Sequence, residues 1–153
     1  LITSHFQLLN NPLIFSDCYL MPIPLEKRRL KRRGFNQAEE LAKELSQYLG
    51  IPVSNDVLIK IKTTLSQTEL AGKEREENIK GAFSCQNKEK IYPVRELKEF
   101  GYSKNFDFSN GVKGRKILLV DDVYTTGSTM EEAARVLKLS GAKEVCGAVI
   151  ARG

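Results

Sequence analysis

One stretch in the C-terminal half of the chain restricts the fold more than any other. The apolar run Ile117–Val120 predicts a buried strand, and a second apolar run, Val145–Ile150, predicts another. The amphipathic segment between them predicts a helix that is capped by Ser128 or Thr129 and stops at Gly141. A strand, a helix and a strand in this order form a βαβ unit, whose two strands pair in parallel. The sequence therefore predicts an α/β fold built on a parallel sheet.

Two adjacent carboxylates, Asp121 and Asp122, directly follow the first of these strands. Like charges side by side in a partly buried place cost free energy unless a cation or a hydrogen-bond donor meets them. In open parallel sheets, ligands bind beyond the carboxyl ends of the strands, which is where this pair falls. The two acids suit ribose hydroxyls or Mg²⁺ at that edge.

A hydroxyl-rich turn leads from the acids into the predicted helix. Its residues are Tyr124, Thr125, Thr126, Gly127, Ser128 and Thr129. Backbone N–H groups and the dipole at a helix N-terminus favour a phosphate, and Gly127 lets the backbone approach it closely. Together with the acids, the turn suits a ribose 5-phosphate. The alternative is plain helix capping, and acidic pairs also end strands in phosphoacceptor domains and Mg²⁺-dependent phosphatases. The sequence contains neither a Walker nor a Rossmann glycine pattern.

Further elements are predicted upstream. The strand-like runs are Asp17–Pro22, Val57–Ile61 and Ala82–Cys85. Between the first two runs, a helix begins at Asn36, with Glu39 in the capping-box position, and ends at Gly50.

Composition places the chain among single globular domains. With 153 residues, 41% apolar and 28% charged, we expect one domain spanning residues 1–153. The chain begins at Leu1, so we expect that an N-terminal segment of the full-length protein is absent. No apolar run approaches the ~20 residues needed to span a bilayer, which predicts a cytoplasmic protein. Cys18, Cys85 and Cys146 form no CxxC pair, which predicts buried free thiols.

Three segments together resemble the type I phosphoribosyltransferases, and in particular their ComF/ComFC competence branch. They are ILLVDDVYTTGST, PIPLEKRRLKRRGFNQAEELA and QTELAGKEREENIKGAF. The resemblance implies a Rossmann-like parallel central sheet flanked by helices, with a mobile lid loop. It also implies binding of phosphoribosyl pyrophosphate (PRPP) with Mg²⁺ as cofactor, the metal having no direct protein ligand.

The resemblance assigns roles to particular residues. Asp121 and Asp122 would contact the ribose hydroxyls, and the turn to Thr129 would hold the 5-phosphate. The predicted catalytic residues are Asp121, Asp122 and Arg75. Gln67 and Asn78, with Arg75, would belong to the lid. A basic loop after Pro24 would hold pyrophosphate through Arg28, Arg29, Arg32 and Arg33.

The basic segment KRRLKRR allows more than one interpretation. It carries six cations in seven residues and accounts for the formal net charge of +5. It could be a solvated surface, a pyrophosphate site, or a contact for single-stranded DNA, in keeping with a pI of 9.1. Phe35 could stack on a base, although core or lid packing is the more common role of a lone aromatic.

Two functions follow from the resemblance. The first is a PRPP-binding phosphoribosyltransferase of the ComF family that acts in natural transformation and DNA uptake. The second is a non-catalytic PRPP-sensing module of the competence machinery that binds single-stranded DNA or serves as a scaffold. The acceptor substrate is not indicated. Residues 87–113 form an insertion relative to the family, interpreted as structural cover or as a partner surface.

Overall fold

The structure is a computed structural model and describes residues 18–62, 77–86 and 111–153. The strands within these ranges are β1 (Cys18–Pro22), β2 (Leu58–Lys60), β3 (Phe83–Cys85), β4 (Lys116–Tyr124) and β5 (Glu144–Arg152). The helices are α1 (Lys27–Arg33), α2 (Gln37–Leu49) and α3 (Ser128–Leu139).

The main sheet has the strand order β1-β4-β5, and both pairings are parallel. β4 is central, because Leu118 pairs with Leu20 on one side and with Cys146 on the other. Beyond β1, an isolated parallel bridge joins Leu20 to Val53. The predicted βαβ unit of β4, α3 and β5 and the predicted parallel sheet are confirmed.

The side chains of β1 and β4 alternate between two apolar layers, as the pleat of a strand requires. One layer packs against α3 and contains Tyr19, Met21, Ile117, Leu119, Met130, Ala133 and Leu137. The other packs against α2 and contains Cys18, Leu20, Ala42, Leu118 and Val120. The sheet is therefore covered by a helix on each face, as the resemblance implied.

The predicted end of β4 at Val120 was four residues too early. β5 continues to pair with β4 as far as Tyr124, which lies opposite Arg152. Asp121, Asp122 and Tyr124 consequently belong to the strand, and the turn proper begins at Thr125. The apolar pattern ends at Val120, so it does not predict this extension. Pairing with β5 keeps the polar residues that follow in extended conformation.

The predicted loop around the basic segment is wrong, because Lys27–Arg33 forms α1. Lysine, arginine and leucine have good helix propensity, and three basic residues in the last turn favour the negative end of the helix dipole. Gly34 ends the helix in the left-handed conformation (φ 87°), and its N–H donates to the carbonyl of Leu30.

The N-cap that was predicted for α2 is confirmed. Asn36 Oδ1 accepts a hydrogen bond from the N–H of Ala38 at 3.2 Å, and Asn36 Nδ2 donates to the carbonyl of Ile23. One side chain thus both starts α2 and ties it to the chain that leaves β1. Glu39 contacts Asn55 and Lys43 with its carboxylate.

The strands β2 and β3 form a separate antiparallel pair. Their positions agree with the predicted runs, each within a residue at either end. The apolar pattern of the sequence does not indicate that these two strands form a sheet of their own, separate from the parallel sheet. Lys60, the last residue of β2, pairs with Phe83, the first residue of β3.

The cysteines are free thiols, but only Cys18 is fully buried. Burial raises the pKa of the Cys18 thiol to about 12, which keeps it protonated and unreactive. Cys85 and Cys146 are half-buried, so the prediction of burial holds for one residue of the three.

Candidate functional site

The acidic pair lies where β4 loses one of its two neighbours. β1 pairs with β4 only as far as Val120, whereas β5 follows β4 to Tyr124. Asp121 is therefore the first β4 residue beyond the pairing with β1, at the carboxyl edge of the sheet. The N–H of Asp122 donates to Asp121 Oδ1 at 2.9 Å, and the N–H of Val123 donates to Asp122 Oδ1 at 3.0 Å.

The electrostatics of the pair are unusual. Burial, and next a hydrogen bond with Asp122, raise the pKa of Asp121 from 3.8 to about 7. The N–H of Asp122 and the ammonium of Lys60 oppose this rise. An acid that titrates near neutral pH is typical of functional sites, where a ligand or a metal ion supplies the missing countercharge.

The turn after β4 brings hydroxyl groups and backbone amides together. Residues 125–127 bend, and Gly127 precedes α3 in the left-handed conformation (φ 84°). Ser128 is the first residue of α3, so the predicted cap at Ser128 or Thr129 is wrong, and no side chain caps the helix. Thr126 Oγ1 lies 3.0 Å from Ser128 Oγ. The first N–H groups of a helix have no intrahelical acceptor, which leaves them suited to an anion.

Gly127 is required at this turn for two reasons. Its positive φ strains any residue that has a Cβ. In addition, a Cβ at this position would lie 2.6 Å from Cζ of the Tyr124 ring. Tyr124 is half-buried and packs against the core on the α3 side of the sheet. The tyrosine ring therefore supports the turn from one side and leaves room only for glycine.

Of the four predicted basic-loop arginines, one differs from the rest in its exposure. Arg29 is half-buried, whereas Arg28, Arg32 and Arg33 are exposed on α1. The guanidinium of Arg33 donates to Oε1 of Gln37, the first residue of α2, at 2.7 Å. Of these four arginines, Arg29 is therefore the one on the side of α1 that is turned toward the rest of the protein.

Two residues near Arg29 were not predicted from the sequence. Burial lowers the pKa of Lys60 on β2, and the charge of Arg29 lowers it further, whereas the charges of Glu26 and Asp121 raise it. Glu26, at the N-terminus of α1, is buried with 8% of its surface exposed. A single lysine in a short apolar run gives no sequence signal of such charged surroundings.

A third unpredicted residue, Glu132, connects α3 to the chain that follows residues 63–76. Glu132 is buried, and its Oε1 accepts a hydrogen bond from the N–H of Gly81 at 2.8 Å. Arg135 holds the same carboxylate through two bonds of 2.7 Å. The predicted site residue Asn78 is half-buried on the short helical turn of residues 77–79, just before Gly81.

Two of the predicted site residues, Gln67 and Arg75, lie outside the described residues, and so does most of the 87–113 insertion. Asp121, Asp122 and the hydroxyl turn lie at the end of β4, and α1 with Arg29 follows β1, so all of them lie at the carboxyl edge of two parallel strands. Across the described ranges, no helix is long and apolar enough to cross a membrane.

The carboxylates at this edge of the sheet could serve an Mg²⁺ ion. No three His, Cys, Asp or Glu residues of the described ranges come together as a metal site. Mg²⁺ is commonly bound through only one or two carboxylates, with water and substrate phosphates completing the shell. Asp121 and Asp122 therefore fit an Mg²⁺ ion that arrives with a phosphorylated ligand.

Comparison with known proteins gives matches over most of the chain. A sequence model described as Phosphoribosyl transferase domain matches residues 30–153. Competence protein F from Haemophilus influenzae is 35% identical over 126 residues, which cover 82% of this chain and 46% of that protein. Competence protein ComFC from Bacillus subtilis is 33% identical over 122 residues, covering 80% of this chain and 39% of that protein. The chain thus spans less than half the length of both relatives.

Among solved structures, a purine phosphoribosyltransferase from Pyrococcus horikoshii Ot3 aligns with a TM-score of 0.47 and 18% identity, covering 97% of this chain and 79% of that one. The sequence matches confirm the resemblance to the ComF/ComFC branch.

Proposed function

The chain belongs to the phosphoribosyl transferase domain family, and from this premise we propose that it binds PRPP together with Mg²⁺. The observation that carries the proposal is the continuous stretch from Asp121 to Ser128. It presents two carboxylates and then an amide- and hydroxyl-lined turn at the same edge of the sheet. That order matches a ribose whose hydroxyls meet the acids and whose 5-phosphate lies in the turn.

The remaining part of PRPP, its diphosphate, must extend from C1 of the ribose. On this proposal the diphosphate points toward α1, where Arg29 faces inward. Mg²⁺, when bound, neutralises part of the diphosphate charge. The raised pKa of Asp121 suits this arrangement, because an incoming cation would favour the ionised carboxylate.

The chemistry that such a site supports is phosphoribosyl transfer. A nucleophile on the acceptor forms a bond to C1 while the bond from C1 to the diphosphate oxygen breaks. The diphosphate leaves with the electron pair, and the acceptor loses its proton to solvent. Arg29 would stabilise the charge that develops on the leaving group. The residues from Thr125 to Thr129 would hold the rest of the sugar phosphate in place.

We place this activity in the cytoplasm and in DNA uptake. The role in DNA uptake is supported by the similarity of this chain to part of two relatives that are named competence proteins.

Calorimetry with Mg²⁺ and PRPP tests the proposal. Wild-type protein should bind, and Asp121→Asn/Asp122→Asn should abolish binding. A matched control is Glu40→Gln/Glu44→Gln, which removes two exposed acids from α2. Absence of binding by the wild-type protein, or equal binding by all three, would reject the site. Release of pyrophosphate on addition of candidate acceptors would then identify an enzyme.

A second candidate function is favoured by the outer face of α1. This helix has no buried residue, and Arg28 and Arg32 lie one turn apart on its exposed surface. Phe35, which follows the helix, is 49% exposed. Cations with a neighbouring aromatic suit single-stranded DNA, so the chain could be a PRPP-sensing module that contacts DNA without turnover.

Filter binding of single-stranded DNA at increasing salt tests this candidate. Arg28→Ala/Arg32→Ala should lower the affinity and reduce the salt slope, since each phosphate contact adds to that slope. Lys138→Ala/Lys143→Ala, which removes two exposed cations at the far end of α3, is the control. The same loss in both double variants would indicate a general charge effect and reject a specific α1 contact.

A further inference from the structure

β5 forms an edge of the parallel sheet, and its middle part carries no charge. The strand is nine residues long, whereas strands usually have about five or six. Among the residues that the structure describes, only β4 pairs with it. Val145–Ala151 contains neither a charge nor a proline, and the constant register with β4 leaves no bulge. Natural edge strands are commonly protected by charges, prolines, bulges or short length, so this edge is open to pairing with another strand.

Backbone hydrogen bonds at the two ends of β5 establish which residues face outward. The N–H of Lys143, just before the strand, donates to the carbonyl of Arg115 at 2.8 Å, and the N–H of Glu144 makes a longer contact of 3.4 Å with the same oxygen. The N–H of Gly153, just after the strand, donates to the carbonyl of Tyr124 at 2.9 Å. Successive residues of a strand direct their backbone groups to opposite sides. The residues that present theirs to the outer edge are therefore Cys146, Ala148, Ile150 and Arg152.

The side chains of these residues lie on the same face of the sheet as α2. Cys146 and Ala148 pack against the apolar layer on that face, and Ile150, two residues further on, is 66% exposed. Residues 117–120 of the central strand β4 are all buried, whereas residues 145–149 of β5 are only half-buried. The edge strand therefore leaves apolar surface accessible, as a strand with a single neighbour does.

The charges at the two ends of β5 complement each other under a two-fold rotation. Glu144 and Arg152 are both exposed, and Ala148 lies midway between them along the strand. If two β5 strands pair antiparallel about Ala148, Glu144 of each copy lies opposite Arg152 of the other, and Cys146 lies opposite Ile150. Opposite charges in facing positions stabilise a strand pair. This register also brings outward-facing backbone groups together, because facing residues are separated by an even number of positions.

We propose that β5 is the interface of a symmetric dimer, in which two copies of this chain pair their β5 strands antiparallel about Ala148 and join their sheets into one. Backbone hydrogen bonds supply the pairing, Ile150 of each copy covers Cys146 of the other, and the two pairs of Glu144 with Arg152 fix the register. An extended segment of a different protein could use the same backbone groups, but the reciprocal end charges favour a second copy. Dimerisation through β5 is independent of PRPP binding.

Analytical ultracentrifugation over a concentration series at low ionic strength tests the dimer. Glu144→Arg and Arg152→Glu each replace two attractive pairs by two repulsive ones and should weaken dimerisation by about tenfold or more. The double variant Glu144→Arg/Arg152→Glu exchanges the charges, so it should dimerise within about threefold of wild type. Glu44→Arg, the same reversal at an exposed position of α2, is the control and should leave dimerisation unchanged.

A substitution in the middle of the edge tests the apolar contact. Ile150→Lys introduces a charge of the kind that protects natural edge strands and should weaken dimerisation by about tenfold or more. Ile61→Lys, just after β2, replaces an isoleucine of similar exposure, 60%, and should leave dimerisation unchanged. Circular dichroism establishes that each variant is folded.

Three results would overturn the proposed dimer. A wild-type protein that stays monomeric across the series would show that the edge is free or is covered by another part of the chain. A dimer that neither Glu144→Arg nor Ile150→Lys weakens would have its interface elsewhere. Weakening by both single charge reversals without recovery in the double variant would show that Glu144 and Arg152 do not face each other.

Discussion

Glu132 on α3 accepts a hydrogen bond from the backbone N–H of Gly81 at 2.8 Å, although 51 positions separate the two residues. The contact joins the helix that follows the hydroxyl turn to the chain that leads into β3. Glu132 is also the acceptor of both bonds from Arg135. One buried carboxylate thus sets the position of the hairpin relative to the turn.

Glu132→Gln should destabilise the fold by roughly 1–3 kcal/mol, the usual cost of weakening a buried charged hydrogen bond. Urea unfolding at neutral pH measures this loss. Glu131→Gln, the exposed neighbour in the same helical turn, should cost less than about 0.5 kcal/mol. Equal effects of the two substitutions would contradict the role given to Glu132.

The same contact predicts a pH dependence. The bonds from Arg135, and next the N–H of Gly81, hold the pKa of Glu132 below its ordinary value of 4.5 while burial opposes them. A lowered pKa contributes stability above the unfolded value and loses it as the pH falls through the folded value. The stability difference between wild type and Glu132→Gln should therefore shrink as the pH falls below about 4.5. A difference that stays constant into that acidic range would argue against an ionised Glu132.

Gly127→Ala should reduce the free energy of unfolding more than the same substitution at another glycine in the left-handed conformation. Gly114 also has a positive φ (74°), but nothing lies within 4 Å of a Cβ placed there. Gly114→Ala should cost about 1–2 kcal/mol from backbone strain alone. Gly127→Ala should cost at least about 1 kcal/mol more, because the Tyr124 ring must also move. Thermal unfolding measures both losses, and in a double-mutant cycle Gly127→Ala should cost less stability in a Tyr124→Ala background than in the wild type.

Asp121→Asn should stabilise the ligand-free protein above neutral pH. The folded-state pKa of Asp121 is raised from 3.8 to about 7, so the folded protein holds this proton more tightly than the unfolded chain. The stability of wild type should consequently fall as the pH rises between these values. Above about pH 7 the variant should be more stable by roughly 1–3 kcal/mol, since one pKa unit corresponds to about 1.4 kcal/mol.

Denaturant unfolding across that pH range measures this effect. Glu40→Gln, an exposed acid on α2, should keep the wild-type slope. If Asp121→Asn also keeps that slope, Asp121 is ionised throughout the range and its pKa is not raised in the folded protein.

Arg29 and Arg32 should separate the two binding functions. Arg29→Met should weaken PRPP binding by about tenfold, because Arg29 is half-buried on α1, which follows β1 at the carboxyl edge of the sheet. Arg32→Met should change PRPP affinity by less than about threefold, but weaken binding of single-stranded DNA, because Arg32 is exposed. The two affinities measured side by side check this order, and the reverse order would contradict the orientation of α1.

The sequence predicted the part of the site that is local along the chain. Asp121, Asp122 and the turn are consecutive, so strand, acid pair, glycine and helix can be read in order. The end of β4 was misjudged because its last residues are held by β5, a contact that composition does not display. The helix at Lys27–Arg33 was missed because its charge, and not its helix propensity, dominated the interpretation.

The rest of the site depends on contacts between distant segments. Glu132 lies in an ordinary stretch of helix and acquires its significance only from its hydrogen bond with Gly81, 51 positions away. The antiparallel pairing of β2 and β3 is of the same kind, because short apolar runs do not specify the direction in which they pair.

The most direct measurement for the central claim is a crystal structure of the protein with Mg²⁺ and PRPP. The 5-phosphate should lie within hydrogen-bond distance of backbone amides between Thr125 and Thr129, with a ribose hydroxyl on Asp121 or Asp122 and the diphosphate toward Arg29. PRPP bound elsewhere, for example on the outer face of α1, with the acidic pair and the turn left without contact, would contradict the account.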